Sequence, residues 1–307
     1  DRWSDPELSM IRISRPRSFW VLVLAMGLAL ACGGDAGPEA HDPALKESAA
    51  TAPQRIIAIA PSVTEMLFEL GLGERVVGVG DYAKWPPETA GKPKLGGLFD
   101  ARLETIAGLQ PDLAVLLPSE ERLRTNLEAM GVEVLTVRSD SIADVEEMAG
   151  LIGERCGVQE AAEAFLDRWS LQLAPRTQEN PSRVLLSVTR EPGRMADVLV
   201  AGPGTFLDEL LQRLGMINVV ADAQMAYPQV GLEEIILRHP QIVIELQASP
   251  GNYDELPRDW ATVASGTALT EVCVRVIAGN HVLIPGPRLP RLLQELEEAI
   301  AECVVSP

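Results

Sequence analysis

The sequence predicts an α/β fold: two α/β lobes with mostly parallel sheets, joined by a long backbone helix. Three observations carry this. One pattern occurs twice. Leu103-Glu104-x-Ile106 with Pro111-x-Leu113-x-Val115 returns 129 residues on as Leu232-Glu233-x-Ile235 with Pro240-x-Ile242-x-Ile244. Each copy reads as a short amphipathic helix that passes through a Pro turn into an apolar strand, a unit of parallel α/β sheets. Short apolar runs also alternate with helical stripes on both sides of the middle. The middle itself, residues 141–178, shows helical stripes and no strand pattern.

The elements follow in order. Residues 55–60 are a short apolar run, expected as a buried strand. Ser62 with Glu65 three residues on reads as a capping box, and Val63, Met66, Leu67 and Leu70 continue at helical spacing until Gly71. Residues 76–79 are the next strand, and 81–87 a loop carrying Tyr82, Trp85 and two prolines. The first repeat helix spans 103–109 and its strand 112–117. A helix over 120–130 and a strand over 132–137 close the first lobe. In the middle, Ile142, Val145, Met148, Leu151 and Ile152 form one stripe. A second helix over 159–176 has room to be about 27 Å long. Strands over 183–188, 198–200, 274–277 and 282–284, helices over 205–214 and 290–301, and the second repeat build the other lobe. The expected boundaries are 54–140 for the first lobe, 141–180 for the connecting helices and 181–307 for the second lobe. A helical connection implies a stiff hinge with little closure.

The N-terminal stretch reads as an address. Met10 is taken as the start; Arg12, Arg15 and Arg17 form a basic region, and residues 19–31 an uncharged apolar run of signal-peptide length. Residues 1–31 are thus a signal peptide with upstream residues. Ala29-Leu30-Ala31-Cys32-Gly33 resembles a bacterial lipobox, which implies lipidation of Cys32. Residues 32–53, rich in Ala, Gly, Pro and acids, read as a flexible tether. The expected location is the cell envelope, with the protein exported and lipid-anchored.

A formal net charge of −18 argues against nucleic acid, which needs a basic face. Cys156, Cys273 and Cys303 are odd in number, so one is unpaired or pairs between chains; a Cys273–Cys303 bridge is one pairing an oxidising compartment allows. No C-x-x-C, G-x-S-x-G, H-E-x-x-H or P-loop pattern occurs. A catalytic role is therefore not expected. A hydrolytic site from Ser62, Glu65, Asp81 and His281, or a non-transport scaffold, stands as the reading from another class. With only His41, His239 and His281 available, no metal site or cofactor is expected either.

Ile59-Ala60-Pro61-Ser62-Val63-Thr64-Glu65, Val77-Gly78-Val79-Gly80-Asp81-Tyr82 with Trp85-Pro86-Pro87, Leu103-Glu104 through Pro111-Asp112-Leu113, Tyr227-Pro228-Gln229-Val230 with Glu233, and Pro287-Arg288 carry a resemblance. The chain from about residue 55 onward resembles the helical-backbone (class III) periplasmic substrate-binding proteins of ABC importers. It is most similar to the vitamin B12-binding and iron-complex (siderophore, haem) receptors. The resemblance implies a permease dimer with its ATPase as partner, and Glu104 and Glu233 as the paired acids that dock on it. It also implies a ligand cleft between the lobes. Ser62, Tyr82, Trp85, Phe99, Arg190 and Tyr227 are the candidate ligand-binding residues, the aromatics as flat surfaces for a macrocycle and Arg190 for an anionic group. Cobalamin is the first expectation. An iron–siderophore or haem, with Tyr82 as an axial ligand, is the alternative. Arg288 is expected to stabilise its own loop.

Overall fold

The structure, a computed structural model, describes residues 52–267, 269 and 272–305, which belong to one compact unit. Cys32, the signal segment, His41 and nearly all of the tether lie outside the described residues.

The first lobe is a four-stranded parallel sheet. Its strands are β1 (Ile56–Ala58), β2 (Val76–Val79), β3 (Leu113–Leu116) and β4 (Glu133–Thr136), in the order β2-β1-β3-β4. The helices between them are α1 (Pro61–Glu69), α2 (Leu103–Leu109) and α3 (Glu121–Ala129). β1 and β3 are apolar on both faces because both faces are covered. Ile56, Ala58, Leu113 and Val115 turn one way, while Ile57, Ile59, Ala114 and Leu116 turn to Ile106, Leu123 and Leu127 of the outer helices.

The second lobe repeats the plan. β5 (Arg183–Val188), β7 (Ile217–Asn218), β9 (Ile242–Gln247) and β10 (Cys273–Ala278) pair in parallel in the order β10-β9-β5-β7. β6 (Val198–Leu199) and β8 (Gln229–Val230) add an antiparallel ribbon. The helices are α6 (Phe206–Arg213), α7 (Leu232–Arg238), α8 (Glu255–Ala264) and α9 (Leu289–Val305).

The sequence repeat extends to geometry. α2 ends at Gln110 and α7 at His239, both non-glycine residues in the left-handed region (φ 47° and 45°). In each lobe one arginine covers the freed carbonyls at the helix end. Arg55 Nε donates to Leu109 O (2.9 Å), and Arg183 Nε to His239 O (3.2 Å). The strand amide of that arginine is held by a side chain two residues past the cap. Asp112 accepts from Arg55 N (2.9 Å), and Gln241 accepts from Arg183 N (2.9 Å). These bonds satisfy helix-end groups that would otherwise be orphaned, and they make the left-handed residue tolerable.

Between the lobes lie α4 (Ile142–Cys156) and α5 (Gln159–Gln172). Ser141 caps α4, accepting from Asp144 N at 3.1 Å while Asp144 returns the bond. Gly157 ends it at φ 70°. Gly153 permits the close crossing, because a Cβ there would stand 2.6 Å from Ala162 Cβ. α5 is shorter than expected, stopping at Gln172 instead of 176. Pro175 accounts for this: it disfavours helical backbone before it and cannot donate into the ladder. Two further expectations fail. Residues 282–284 form a turn, not a strand. Ser62 is not a cap, since Ala60 holds that position with Pro61 next to it. Glu65 is drawn elsewhere, to Arg288.

One apolar cluster spans both lobes. It runs from Ile56, Leu113 and Val115 through Met66 of α1, Val145 of α4 and Phe165 of α5 to Leu186, Ile244 and Leu246, and on to Leu292 and Leu296 of α9. Cys273 and Cys303 form a disulfide that ties β10 to α9 across 30 residues of chain. Opening it is expected to cost about 3–4 kcal/mol, the loop entropy released to the unfolded chain. Melting temperatures of the oxidised chain and of Cys273→Ser/Cys303→Ser check this. Cys156 is a buried thiol, pushed up to about 11 by that burial, and so stays un-ionised at neutral pH.

Candidate functional site: exposed aromatic loops and an interlobe clasp

The loops at the carboxyl ends of parallel strands are where α/β folds bind ligands. Four exposed aromatics stand on such loops. Phe99 is 90% exposed, Tyr82 70%, Trp85 41% and Tyr227 39%. Solvent-facing rings on ordered loops, in a chain with 4% aromatics, offer flat apolar surface that the core does not use.

The first-lobe loop is braced by Asp81. Its Oδ1 accepts from Gly96 N (3.1 Å), and its Oδ2 pairs with Arg102 Nη2 (2.8 Å). Gly97 sits tightly in this loop: a Cβ there would stand 2.8 Å from Asp100 Oδ1 and 3.2 Å from the Tyr82 ring. Trp85 lies under the Arg288 guanidinium, with 5.5 Å between Cζ and the ring centroid, a cation–π contact.

Arg288 is the centre of an interlobe clasp. It follows Pro287 in the second lobe, yet its Nε donates to Glu65 Oε2 of α1 at 2.9 Å, and Nη2 pairs with Oε1. Its Nη1 donates to Asn280 Oδ1 at 2.8 Å. The Glu65 side chain is 3% exposed. Burial raises its pKa, and the bond and charge of Arg288 offset this only in part. Trp169 of α5 donates from Nε1 to Pro287 O at 3.2 Å. Beside it, His281 contacts Glu295 at 2.6 Å, and burial lowers its pKa despite that partner. Arg288 therefore does more than brace its own loop: it joins the lobes.

Tyr227 approaches from the second lobe. Gly202 lets its loop pass, since a Cβ would meet Met225 O at 2.7 Å. Burial raises the phenol pKa, and the charge of Asp140, at the end of the first lobe, adds to the shift. Phe206 N donates to Asp140 O (3.2 Å) and Ile142 N to Glu209 Oε2 (2.7 Å), so the seam is stitched on this side too.

Two candidate residues are placed differently from expectation. Ser62 is 4% exposed, with its Oγ 3.2 Å from Ser139 Oγ. Arg190 is turned inward, its side chain 3% exposed. Nε donates to Glu245 Oε1 (2.9 Å), Nη1 to Asp259 Oδ2 (2.8 Å), and Cζ lies 6.0 Å from the Trp260 ring. Burial works against the charged form of Asp259, but Arg190 and the Gly193 amide hold its pKa below the ordinary value. Arg190 is occupied in fixing α8 to β9 and offers no free donor fork to an anion.

The four residues of the hydrolytic alternative are each paired with another group: Ser62 with Ser139, Glu65 with Arg288, Asp81 with Arg102 and His281 with Glu295. No nucleophile–base pair results among them. Among the described residues, no group of three or more His, Cys, Asp or Glu is placed to hold a metal ion. Glu104 and Glu233 sit exposed in the first turns of α2 and α7, where the helix dipole favours an acid.

Sequence reasoning missed Asp140, Ser139 and Glu120. Glu120 is a buried acid on the loop after β3, and its only sequence signal is a Glu two residues after Pro118.

Residues 56–271 match the family model described as periplasmic binding protein. The vitamin B12-binding protein of Salmonella typhimurium is 30% identical over 215 residues, 68% of this chain and 78% of that protein. An uncharacterized ABC transporter substrate-binding lipoprotein of Bacillus subtilis is 27% identical over 262 residues, 81% of this chain and 80% of that one. A solved structure from Staphylococcus epidermidis, described as a possible iron-binding (periplasmic solute-binding) protein, superposes with a TM-score of 0.70 at 25% identity. It covers 81% of this chain and 99% of its own. That family consists of binding proteins, not enzymes. On the match over residues 56–271, with two parallel sheets joined by a helical connection, this chain belongs to the periplasmic binding protein family.

Proposed function

We propose that this chain is the substrate-binding lipoprotein of an ABC importer and that it captures cobalamin between its lobes. It is exported, held to the membrane by a lipid on Cys32, and delivers its ligand to a permease dimer coupled to an ATPase. Tyr82, Trp85, Phe99 and Tyr227 line the ligand and Ser62 lies behind them. Arg190 is left out of this set because its guanidinium is already engaged. Glu104 and Glu233 dock the two lobes on the permease.

The observation that carries the reading is the set of four exposed aromatics on loops of a chain whose relatives include vitamin B12-binding proteins. A corrin ring offers a large flat face, and stacking adds about 0.5–1.5 kcal/mol per ring beyond area burial. The test is a titration of the purified chain, without signal and tether, with cyanocobalamin, haemin and ferric siderophores. One-to-one cobalamin binding, weakened about tenfold or more by Trp85→Ala, is expected. Binding of a siderophore or haemin alone would move the ligand. The iron-complex reading is kept because of the Staphylococcus epidermidis structure and the 70% exposure of Tyr82, whose phenol is a hard oxygen donor.

A further inference from the structure

A carboxyl group on the loop after β3 has one oxygen with nothing to bond. Residues 118–120 make a single tight turn, and Glu120 Oε2 accepts the Leu117 N–H at 2.6 Å. Glu120 is 2% exposed, and its Oε1 is buried without a hydrogen-bond partner. An acceptor left in that state destabilises a fold unless another group answers it. Burial, only partly offset by the Leu117 amide, pushes the carboxyl up to about 7.

Glu120 forms part of the wall of a cavity of about 450 Å³. Phe99, Leu103 and Leu123 give that cavity an apolar side, while Arg122 and Asn126 give it polar ones. Arg122 is exposed at its edge. Asp100, also in the wall, already accepts from Gly97 N at 2.8 Å. Gly97 lies against the Tyr82 ring, so the cavity adjoins the aromatic loop and is not a remote hollow.

A group suited to this cavity needs three properties. It must be flat and partly apolar to lie beside Phe99. It must carry an N–H or O–H for Glu120 Oε1, and it must offer an acceptor that Arg122 can meet. A carboxylate fails beside an ionised Glu120, and a purely apolar group would leave Oε1 unsatisfied. An ammonium would meet Arg122 as a like charge. A primary carboxamide supplies both the donor and the acceptor.

We propose that Glu120 is a specificity-determining residue, accepting an N–H from a peripheral carboxamide of the ligand while Arg122 donates to the same amide's oxygen. The proposal rests on the corrinoid reading above: the corrin rim carries primary carboxamides, whereas the porphyrin of haem carries carboxylates. It assigns the preference to one buried acid.

The experiment uses cobalamin and its monocarboxylic acids, each with a single propionamide hydrolysed. They are titrated at pH 8.5 into the wild-type chain, Glu120→Gln, Glu120→Ala and Arg122→Ala. At least one acid is expected to bind the wild type tenfold or more weaker than cobalamin. Glu120→Gln, whose amide can donate to a carboxylate, should narrow that ratio to threefold or less. Glu120→Ala should weaken cobalamin itself about tenfold. Arg122→Ala, an exposed change that leaves the melting temperature in place, should weaken it threefold or more. Cobalamin binding with wild-type acid-to-amide ratios in all three variants would overturn the role of Glu120 alone. Absence of cobalamin binding by the wild type would overturn the corrinoid reading, and this inference with it.

Discussion

Arg288→Ala is expected to lose about 3–5 kcal/mol of unfolding free energy, more than any surface change in the chain. The reason lies in what remains. Glu65 keeps its place on α1, 3% exposed, with no guanidinium to answer its charge. Asn280 loses a donor, and the Trp85 ring loses its cation. The loss should depend on pH with a definite sign. Glu65 already has a raised pKa, and removing Arg288 raises it further. A carboxyl with a raised folded-state pKa binds more protons folded than unfolded, so its contribution to stability falls as pH rises from the unfolded value through the folded one. The deficit of Arg288→Ala is therefore largest above neutral pH and shrinks on acidification toward the ordinary carboxyl value of 4.5, where Glu65 is increasingly protonated in both states. Urea unfolding of wild type and variant at pH 8 and pH 5 measures it. Equal deficits at both pH values would mean that the loss is one of packing. The double change Glu65→Leu/Arg288→Met removes both charges and should recover most of the stability.

Reversing both acids proposed to dock on the permease, Glu104→Lys with Glu233→Lys, is expected to abolish uptake while the isolated chain still binds its ligand normally. Both residues are exposed on first turns of short helices, and each already has the favourable dipole as background. Breaking a charge-assisted pair at a partner surface costs about 2–5 kcal/mol, which is about thirtyfold or more for each single reversal. Reversal also introduces repulsion, so the double variant should fall further than either alone. Transport into proteoliposomes, alongside ligand titration of the same variants, separates docking from capture. Uptake that survives the double reversal would reduce both acids to helix-end decoration.

The parts of the fold legible in the sequence are those set by local chemistry. β1 and β3 are apolar on both faces, and a run such as Leu113-Ala114-Val115-Leu116 has little other use. The boundaries of α2 match because the Leu103-x-x-Ile106 spacing and Pro111 bracket it. The repeat is legible to the residue, since equivalent helices end at Gln110 and His239 with the same backbone twist. What fails is set by distant partners. Ser62 and Glu65 spell a capping box, but Glu65 is claimed by Arg288, more than two hundred residues away. Arg190 reads as a free cation until Glu245 and Asp259 surround it. Pro175 is the exception, a helix stop whose effect is local and whose signal lies three residues past the observed end of α5. α8 is not among the expected helices, although Leu256, Trp260 and Val263 make a short stripe at helical spacing; Pro257 and the polar residues before it read as loop. In the candidate site, the exposed aromatics are visible as residue types on turns. Glu120 is not, because its interest comes from burial, which the short run Pro118-Ser119-Glu120 does not announce.

The apolar cluster shared by both lobes has a consequence for competition. Lobes that share one interior separate widely only by exposing apolar core, which disfavours a large hinge movement on binding. A receptor built this way shows a partner the same outward face whether it is empty or full. In the proposed role, the empty form then competes with the full form for the same docking surface, and delivery depends on the ratio of loaded to unloaded copies.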